Sequence, residues 1–505
     1  MLRGHAGVSA TFVALGERID DSSTVIGVAS RYLSMADGRD TLTAGFDQIR
    51  QELGVPEAFG PQAMSEARAA ANRPPDPPAD ATDLPFVTID PPGAMDLDQA
   101  VFIQRVGPGY RVHYAIADVP GFLGAGSALD LEVRERVMTM YSPDRKVPLH
   151  PTVLSEGAAS LLPGEVRPAL VWRIDLDSDA GLRTVALRGS RVRSRAKLTY
   201  EEVQEQIDGG VADENLQLLR EVGLLLQEQE RARGGVSLPG AEQEIHTDGE
   251  SVELVMREPL PVEGWNAQVS LLAGRAAARM MIDGGIGILR TMPEPSPADI
   301  GRVRAVARSL GIEWPKAVGY AEIIAQMDPT VPAEAALLNA APVLLRGAGY
   351  SAFDGALPEL TTHSAVAAPY AHVTAPLRRL VDRWGLQICL SLSDEAAVPE
   401  WVTTSLASVP DLMGEGGRRA RALDRANVDL VEAFVLHGRV GEHFDAVVLD
   451  NRKDTSLIQL QEPAVIARCE SELPLGTRVS VRLVEADVDR RVVRFVPADQ
   501  AAQSD

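Results

Sequence analysis

Thirteen residues, Thr88 to Ala100 (TIDPPGAMDLDQA), restrict what this chain can fold into more than any other stretch. Asp90, Asp96 and Asp98 fall within nine residues and are separated by Pro91, Pro92 and Gly93. Proline removes backbone donors and biases its predecessor to extended geometry, and glycine permits a turn, so the segment cannot be helix. The apolar run Phe86 to Ile89 is therefore expected to enter as a strand, after which the chain folds back in a tight loop that gathers the three acids. Charges piled beside a core strand must be compensated. Hard divalent cations take oxygen ligands, and magnesium is usually held by one or two carboxylates while substrate phosphate oxygens and waters complete its octahedron. The pattern points to phosphoryl-transfer chemistry; turn-forming and capping aspartates are the other reading of the same residues.

With 505 residues and 45% hydrophobic content, the chain can bury a large core and carry two or three domains. No apolar run approaches the roughly 18 residues that span a bilayer, and the first apolar patch soon reaches Glu17 and Arg18, so neither a membrane span nor a signal peptide is expected. Two cysteines, Cys389 and Cys469, make no disulfide framework and lack metal-ligand spacing; a cytoplasmic location is the expectation. Forty-nine Lys and Arg against 71 Asp and Glu give a net charge of -22, which argues against nucleic acid as a partner. Because screening acts over about 8 to 10 Å at physiological salt, a local basic channel can still hold a phosphate backbone.

Residues 1–71 read as a small, mainly helical region, with helix-friendly composition at Leu42 to Leu53 and Ala63 to Ala71 and no steady period in the first forty residues. Residues 72–83 (NRPPDPPADATD) read as a stiff proline-rich linker. Beyond the acidic loop, Val101 to Val106 and Tyr110 to Ile116 form a hairpin turned at Gly107-Pro108-Gly109. Tyr141, in the irregular segment MYSPDRKVPLHP, is either a packing anchor or a platform for a base. Strand character returns at Ala169 to Leu176 and Leu182 to Arg188.

Arg191, Arg193, Arg195 and Lys197 alternate with Val192, Ser194 and Ala196, and a strand of period two would put all four cations on one face. Either this is an edge strand protected by charge or it is a surface for a nucleic-acid backbone, with Tyr200 beyond it available to stack on a base. Helices follow at Glu214 to Arg233, Asn266 to Ile282, Pro297 to Leu310, Ala333 to Arg346, Pro376 to Leu392 and Arg418 to Leu436. Strands early and helices late indicate an α+β domain, a sheet backed by helices. In YAHVTAPLRRLVD, Pro376 suits the first helical position and places Arg378 and Arg379 in the first turn, where a salt bridge and a phosphate contact are both open. Five short strands between residues 438 and 498 suit an OB-type β-barrel.

Five motifs taken in order carry a family resemblance: TIDPPGAMDLDQA, YAIADV at 114–119, YSPDRKVPLHP with SLLPGEVRPAL at 141–170, SRAKLTYEEV at 194–203 and YAHVTAPLRRLVDR at 370–383. From about residue 84 to 436 the chain resembles the catalytic domain of the ribonuclease II (RNB) family of processive 3′-to-5′ exoribonucleases, and residues 437–498 look like that family's RNA-binding OB barrel. The resemblance implies that Asp90, Asp96 and Asp98 are magnesium-site carboxylates, with manganese as an alternative ion and Asp98 essential. It also implies that Arg378 contacts the scissile phosphate, that Tyr141 clamps the 3′-terminal nucleotide and that Tyr200 packs near that end. Single-stranded RNA 3′ ends would be the partner, nucleoside 5′-monophosphates the products and a monomer the working unit. The alternating cations from Arg191 to Lys197 would hold the RNA backbone.

Three departures accompany the likeness. Gln99 stands where the family usually has a fourth aspartate, and Asn266, Ala267 and Gln268 stand where it often has a glutamate. Residues 1–83 have no room for the usual pair of cold-shock domains, so a more open RNA entrance is expected, with duplexes less strictly excluded. A non-catalytic RNA-binding relative is the second reading, motivated by Gln99, and a metal-dependent DNA nuclease is the third.

Overall fold

The structure, a computed structural model, describes residues 39–238, 242–247, 252–460 and 462–498. The reading of the first 38 residues therefore lies outside the described residues. Helices α1 (Arg39–Glu52) and α2 (Pro61–Ala71) stand where their composition places them. They do not make a core of their own. Leu42, Phe46 and Ile49 of α1 pack with residues of the last long helix and the terminal barrel, whereas Ala63 and Ala67 of α2 join the largest apolar core.

The proline-rich segment is more than a spacer, because Ala79–Asp80 forms a short strand, β1, parallel to Ser190 and Arg191. The sheet continues with β2 (Phe86–Ile89), β3 (Gln99–Val106) and β4 (Gly109–Ala117). Val106 pairs with Gly109 across the two-residue turn Gly107-Pro108, and Gly107 has φ +58°, which such hairpin turns demand at their first central position. Two helices, α3 (Val119–Phe122) and α4 (Ala128–Arg136), lead to a small ladder of β5 (Met140–Tyr141) and β6 (Lys146–Val147). Strands β7 (Val166–Leu176) and β8 (Leu182–Leu198) complete the order β1-β8-β2-β3-β4-β7. β8 pairs with β7 along its first part and with β2 further on, so the sheet curls back on itself around Phe86, Leu97, Ala100, Ala115 and Val171.

The other face of the sheet is covered by helices, as expected of an α+β domain. α5 (Tyr200–Asp208) and α6 (Glu214–Arg233) precede the hairpin β9 (Glu242–Thr247) and β10 (Val252–Arg257), and α7 (Pro261–Gly284) runs through the core. β11 (Ile286–Thr291) pairs with β12 (Gly349–Asp354), and between them α8 (Pro297–Ser309), α9 (Tyr320–Ile324) and α10 (Pro332–Ala340) form a separate small apolar cluster. The helix expected to reach Arg346 tightens into a 3-10 turn at Ala341–Leu345, where Pro342 offers no N–H to continue it. β13 (Thr362–His363) and β14 (Ala368–Pro369) make a short bridge before α11 (Leu380–Ser393), α12 (Glu400–Ser405) and α13 (Val409–Leu436). α13 begins nine residues before Arg418, because Gly414, Gly416 and Gly417 mask it in the sequence; a Cβ on Gly416 would lie 2.6 Å from Val137 Cγ1, so close packing requires the glycine there.

The five expected strands of the terminal unit are β15 (His443–Arg452), β16 (Thr455–Leu460), β17 (Ile466–Cys469), β18 (Arg478–Asp487) and β19 (Val492–Pro497), closed in the order β15-β16-β17-β19-β18. Gln461, at the expected end of the second strand, lies outside the described residues. Phe444 and Phe495 pack edge to face inside the barrel, so neither offers a stacking platform. Among the described residues no helix is long and apolar enough to cross a membrane.

Candidate active site

The acidic loop closes as its sequence requires. Ala94 N–H donates to Pro91 O at 3.2 Å, and Gly93 sits at φ +79°, so Pro92 and Gly93 are the two central residues of a type II turn. The arm beyond the turn is pinned by Ser160, whose hydroxyl accepts from Leu97 N–H at 3.0 Å and donates to Met95 O at 2.7 Å. At its start, Asp90 N–H donates to Leu198 O at 3.0 Å.

Asp98 is the most constrained of the three acids. It is 4% exposed, and one carboxylate oxygen accepts the backbone N–H of Leu377 at 2.7 Å while the other lies 3.5 Å from Arg378 Nε. Burial pushes its pKa well above the ordinary carboxylate range, against the pull of Arg378 and the Leu377 N–H. Asp90 is pushed up to about 7, chiefly by burial, and its Oδ2 is buried without a hydrogen bond. Asp96 turns to a cation instead: Lys146 Nζ sits 2.7 Å from its Oδ1 and 2.9 Å from Glu156 Oε1. Burial works against the charge on Lys146, but Asp96 and Glu156 outweigh it and raise the ammonium pKa.

Arg378 and Arg379 are not in a helical turn. The helix starts at Leu380, Arg379 is its extended N-cap (φ -134°, ψ 126°), and Arg378 precedes it in a turn closed on Ala375 O. The helical first turn expected to carry Arg378 and Arg379 is therefore not formed. Buried Asp382 builds the turn by accepting Ala375 N–H at 2.7 Å and both Arg379 Nε and Nη2 at 2.9 Å. Arg378 is left to face the site. Its charge is felt by Asp90, Asp98, Tyr141 and Tyr200, and Asp98 is in direct reach at 3.5 Å. Tyr141 and Tyr200 are each half-buried, and burial raises both phenol pKa values.

Gln99 has a definite role: its side-chain oxygen accepts the hydroxyl of buried Tyr114. Asn266 Nδ2 lies 3.5 Å from Tyr200 OH, so the position flagged on α7 does stand at the rim of this group. The alternating cations do not share one face. Phe86 pairs with Ser194 but Val87 pairs with Ala196, so β8 carries one extra residue at Arg195 and its alternation inverts beyond it. Lys197 accordingly points away from the side of Arg191 and Arg193; its Nζ donates to Ala94 O at 2.5 Å, and its charge acts on Asp90. Arg191 pairs with Asp80 at 3.2 Å, and Arg195 donates to Thr82 O at 2.8 Å, so both hold the segment before β2. β8 is not an edge strand at its first cations, since β7 pairs with it through Arg193 while β1 pairs at Ser190 and Arg191, and β2 takes over from Ser194.

Sequence reasoning missed Lys146, Glu156 and Asp382. Lys146 was legible as the partner of Tyr141 across a tight turn in YSPDRK, whereas nothing local distinguishes Glu156 or Asp382. The oxygen donors suit a hard cation, because an unpartnered buried oxygen on Asp90 and two carboxyls with raised pKa values are what a dication would relieve. Yet among the described residues no group of three or more His, Cys, Asp or Glu side chains is close enough to hold a metal ion. Asp90 and Asp98 fit as ligands, whereas Asp96 has one oxygen taken up by Lys146.

The RNB domain model matches residues 79–385, and the RNase II-type exonuclease C-terminal S1 domain model matches residues 442–498. Ribonuclease R of Escherichia coli (strain K12) is 30% identical over 323 residues, covering 60% of this chain and 39% of that protein. Ribonuclease R of Thermotoga maritima is 24% identical over 407 residues, 76% of this chain and 57% of that one. The human exosome complex exonuclease RRP44 is 28% identical over 318 residues, 60% and 33%. The chain thus spans 33% to 57% of the length of these relatives. Mycoplasma genitalium RNase R in complex with ribose methylated single-stranded RNA superposes with a TM-score of 0.81 at 18% identity, covering 91% of this chain and 78% of that one. Yeast Ssd1, described as a pseudonuclease, superposes at 0.67 with 15% identity, covering 87% and 57%. At such identities the likeness speaks for the fold alone.

Proposed function

Because the chain belongs to the RNB family, its catalytic-domain match running over residues 79–385, we propose that it is a 3′-to-5′ exoribonuclease that hydrolyses single-stranded RNA ends processively to nucleoside 5′-monophosphates. What supports the reading is buried Asp98 brought to the Leu377 N–H at 2.7 Å and to Arg378 Nε at 3.5 Å, with Asp90, Tyr141 and Tyr200 all feeling the charge of that guanidinium.

In this reading Arg378 draws the terminal phosphate against the acids and stabilises the charge that develops on its oxygens, from a position already set by Asp98 and the Leu377 turn. Tyr141 and Tyr200 hold the terminal nucleotide from two sides and fix the phosphate in line. Lys197, whose charge acts on Asp90, is then the cation of β8 that meets the RNA backbone at the site, and Arg191, Arg193 and Arg195 would meet it outside the site. Magnesium, or manganese, would be held by Asp90 and Asp98, joined by Asp96, and would supply an acidified water and charge neutralisation at the phosphate.

Release of mononucleotides from 5′-labelled single-stranded RNA with magnesium, beside an Asp98→Asn control, tests the proposal. A short labelled end product, or a shortening ladder, that the control lacks supports it. A second reading, an RNA-binding protein without activity, is favoured by Lys146 on Asp96 and by Gln99 committed to Tyr114. It predicts intact RNA, tightly bound, at every magnesium and manganese concentration.

A further inference from the structure

Helix α1 reaches the hairpin that carries Tyr141 through a buried arginine. Arg50 has no exposed surface, and its guanidinium donates to Asp47 Oδ1 at 2.5 Å, to Glu57 Oε1 at 3.0 Å and to both Asp144 oxygens at 2.7 and 2.8 Å. Next to it, Arg145 Nη2 lies 2.8 Å from Asp47 Oδ1 and 2.6 Å from Glu57 Oε2. Asp144 and Arg145 are the tip of the β5–β6 hairpin, whose turn is closed by Ser142 N–H on Arg145 O at 3.0 Å. Tyr141 and Lys146 are paired at the base of that turn, one ladder step from the tip. The hairpin is therefore held from two sides: by Arg50 at its tip and by Lys146 on Asp96 at its base.

We propose that Arg50 is a positioning residue, and that α1 serves as a brace that sets where Tyr141 and Lys146 stand against the acidic loop and the RNA end. The inference rests on the exoribonuclease reading for its kinetic consequence. A buried guanidinium forked onto one carboxylate fixes direction as well as distance. Without it, Asp144 loses its buried partner, and the tip, whose ladder is only two residues long, keeps to α1 only the exposed pairing of Arg145 with Asp47. Asn427 of α13, which donates to Tyr141 O at 3.4 Å and to Ser142 Oγ at 3.3 Å, holds the base and leaves the tip free to swing.

The test uses the full chain with Arg50→Met and the milder Asp144→Asn, which leaves Arg50 bonded to Asp47 and Glu57. Each is measured alone and in a Tyr141→Ala background, and kcat and KM are taken for release of the first nucleotide. If the brace acts through Tyr141, each variant lowers kcat/KM about ten- to a hundredfold, the loss expected of an ångström-scale misplacement. Added to Tyr141→Ala, it costs almost nothing more. Losses that simply multiply with that of Tyr141→Ala, or kinetics unchanged within twofold, overturn the proposal. Amide hydrogen exchange over residues 138–148 of the folded variants keeps the brace testable apart from activity. If the unaltered chain releases no nucleotide, the exoribonuclease reading fails on its own, and faster exchange there in Asp144→Asn supports the brace while unchanged exchange overturns it.

Discussion

Glu432 on α13 offers a quantitative test of how the barrel is joined to the RNB domain. It is 5% exposed, and its Oε1 accepts Gln243 Nε2 and the backbone N–H of Ile466, each at 2.9 Å, so one atom ties α13 to the β9–β10 hairpin and to the barrel. Burial is the largest influence on it and pushes its pKa from 4.5 up to about 7; the two donors, Asp429 and Arg425 modify that without reversing it. A carboxyl whose folded pKa exceeds its unfolded one binds protons more readily in the folded protein, so its contribution to stability falls as pH rises from about 4.5 to about 7. A shift of about 2.5 units at about 1.4 kcal/mol each puts the cost near 3 kcal/mol above that window, as an upper bound. Glu432→Gln keeps the accepting oxygen and removes the ionisation. The variant should match the unaltered chain at pH 4.5 and be more stable at pH 8, by on the order of 5 °C in melting temperature when the few degrees per kcal/mol of smaller domains are scaled to a larger cooperative unit. Thermal unfolding by circular dichroism between pH 4.5 and 8.5 reads the difference. A gap independent of pH, or a variant less stable than the unaltered chain at pH 8, would refute the linkage.

Three further outcomes follow from the same geometry. Lys146→Met leaves Asp96 and Glu156 without their shared cation, so the metal-free protein should melt lower while the rise in melting temperature on adding magnesium grows, as read by a thermal-shift titration. Arg383→Met removes the buried one of the two arginines on fully buried Asp130, leaving Arg134 at 3.2 Å, and should cost about 3 kcal/mol in urea unfolding, whereas the double change with Asp130→Leu should cost less, since it is the undercompensated buried charge that destabilises. Gly274→Ala would put a Cβ 2.1 Å from Tyr370 Cε2 and 2.6 Å from Ala371 O, so it should lose about 1–3 kcal/mol of stability and, by displacing the segment that leads to Arg378, reduce nucleotide release in the labelled-RNA assay.

What the sequence by itself determined are the features that local sterics and periodicity control. Pro92 and Gly93 dictate the turn of the acidic loop, Gly107 the neighbouring hairpin, and alternating apolar residues the barrel strands, because φ restrictions and side-chain period act within a few residues. Where the local signal was diluted, the boundaries moved: Gly414 to Gly417 hid the start of α13, and Pro376 suggested a helix start that Asp382, by capturing Ala375 N–H and Arg379, delayed to Leu380. The site itself belongs to the tertiary structure. Asp98 meets Arg378 and the Leu377 N–H across 279 residues of chain, Asp96 meets Lys146 across 50, and Arg50 meets Asp144 across 94. The single extra residue at Arg195 turns an apparent row of four cations into two opposed sets. Such pairings depend on which buried charges the packed core brings within reach of one another, and a buried charge selects its partner by proximity in space, with no trace in the spacing along the chain.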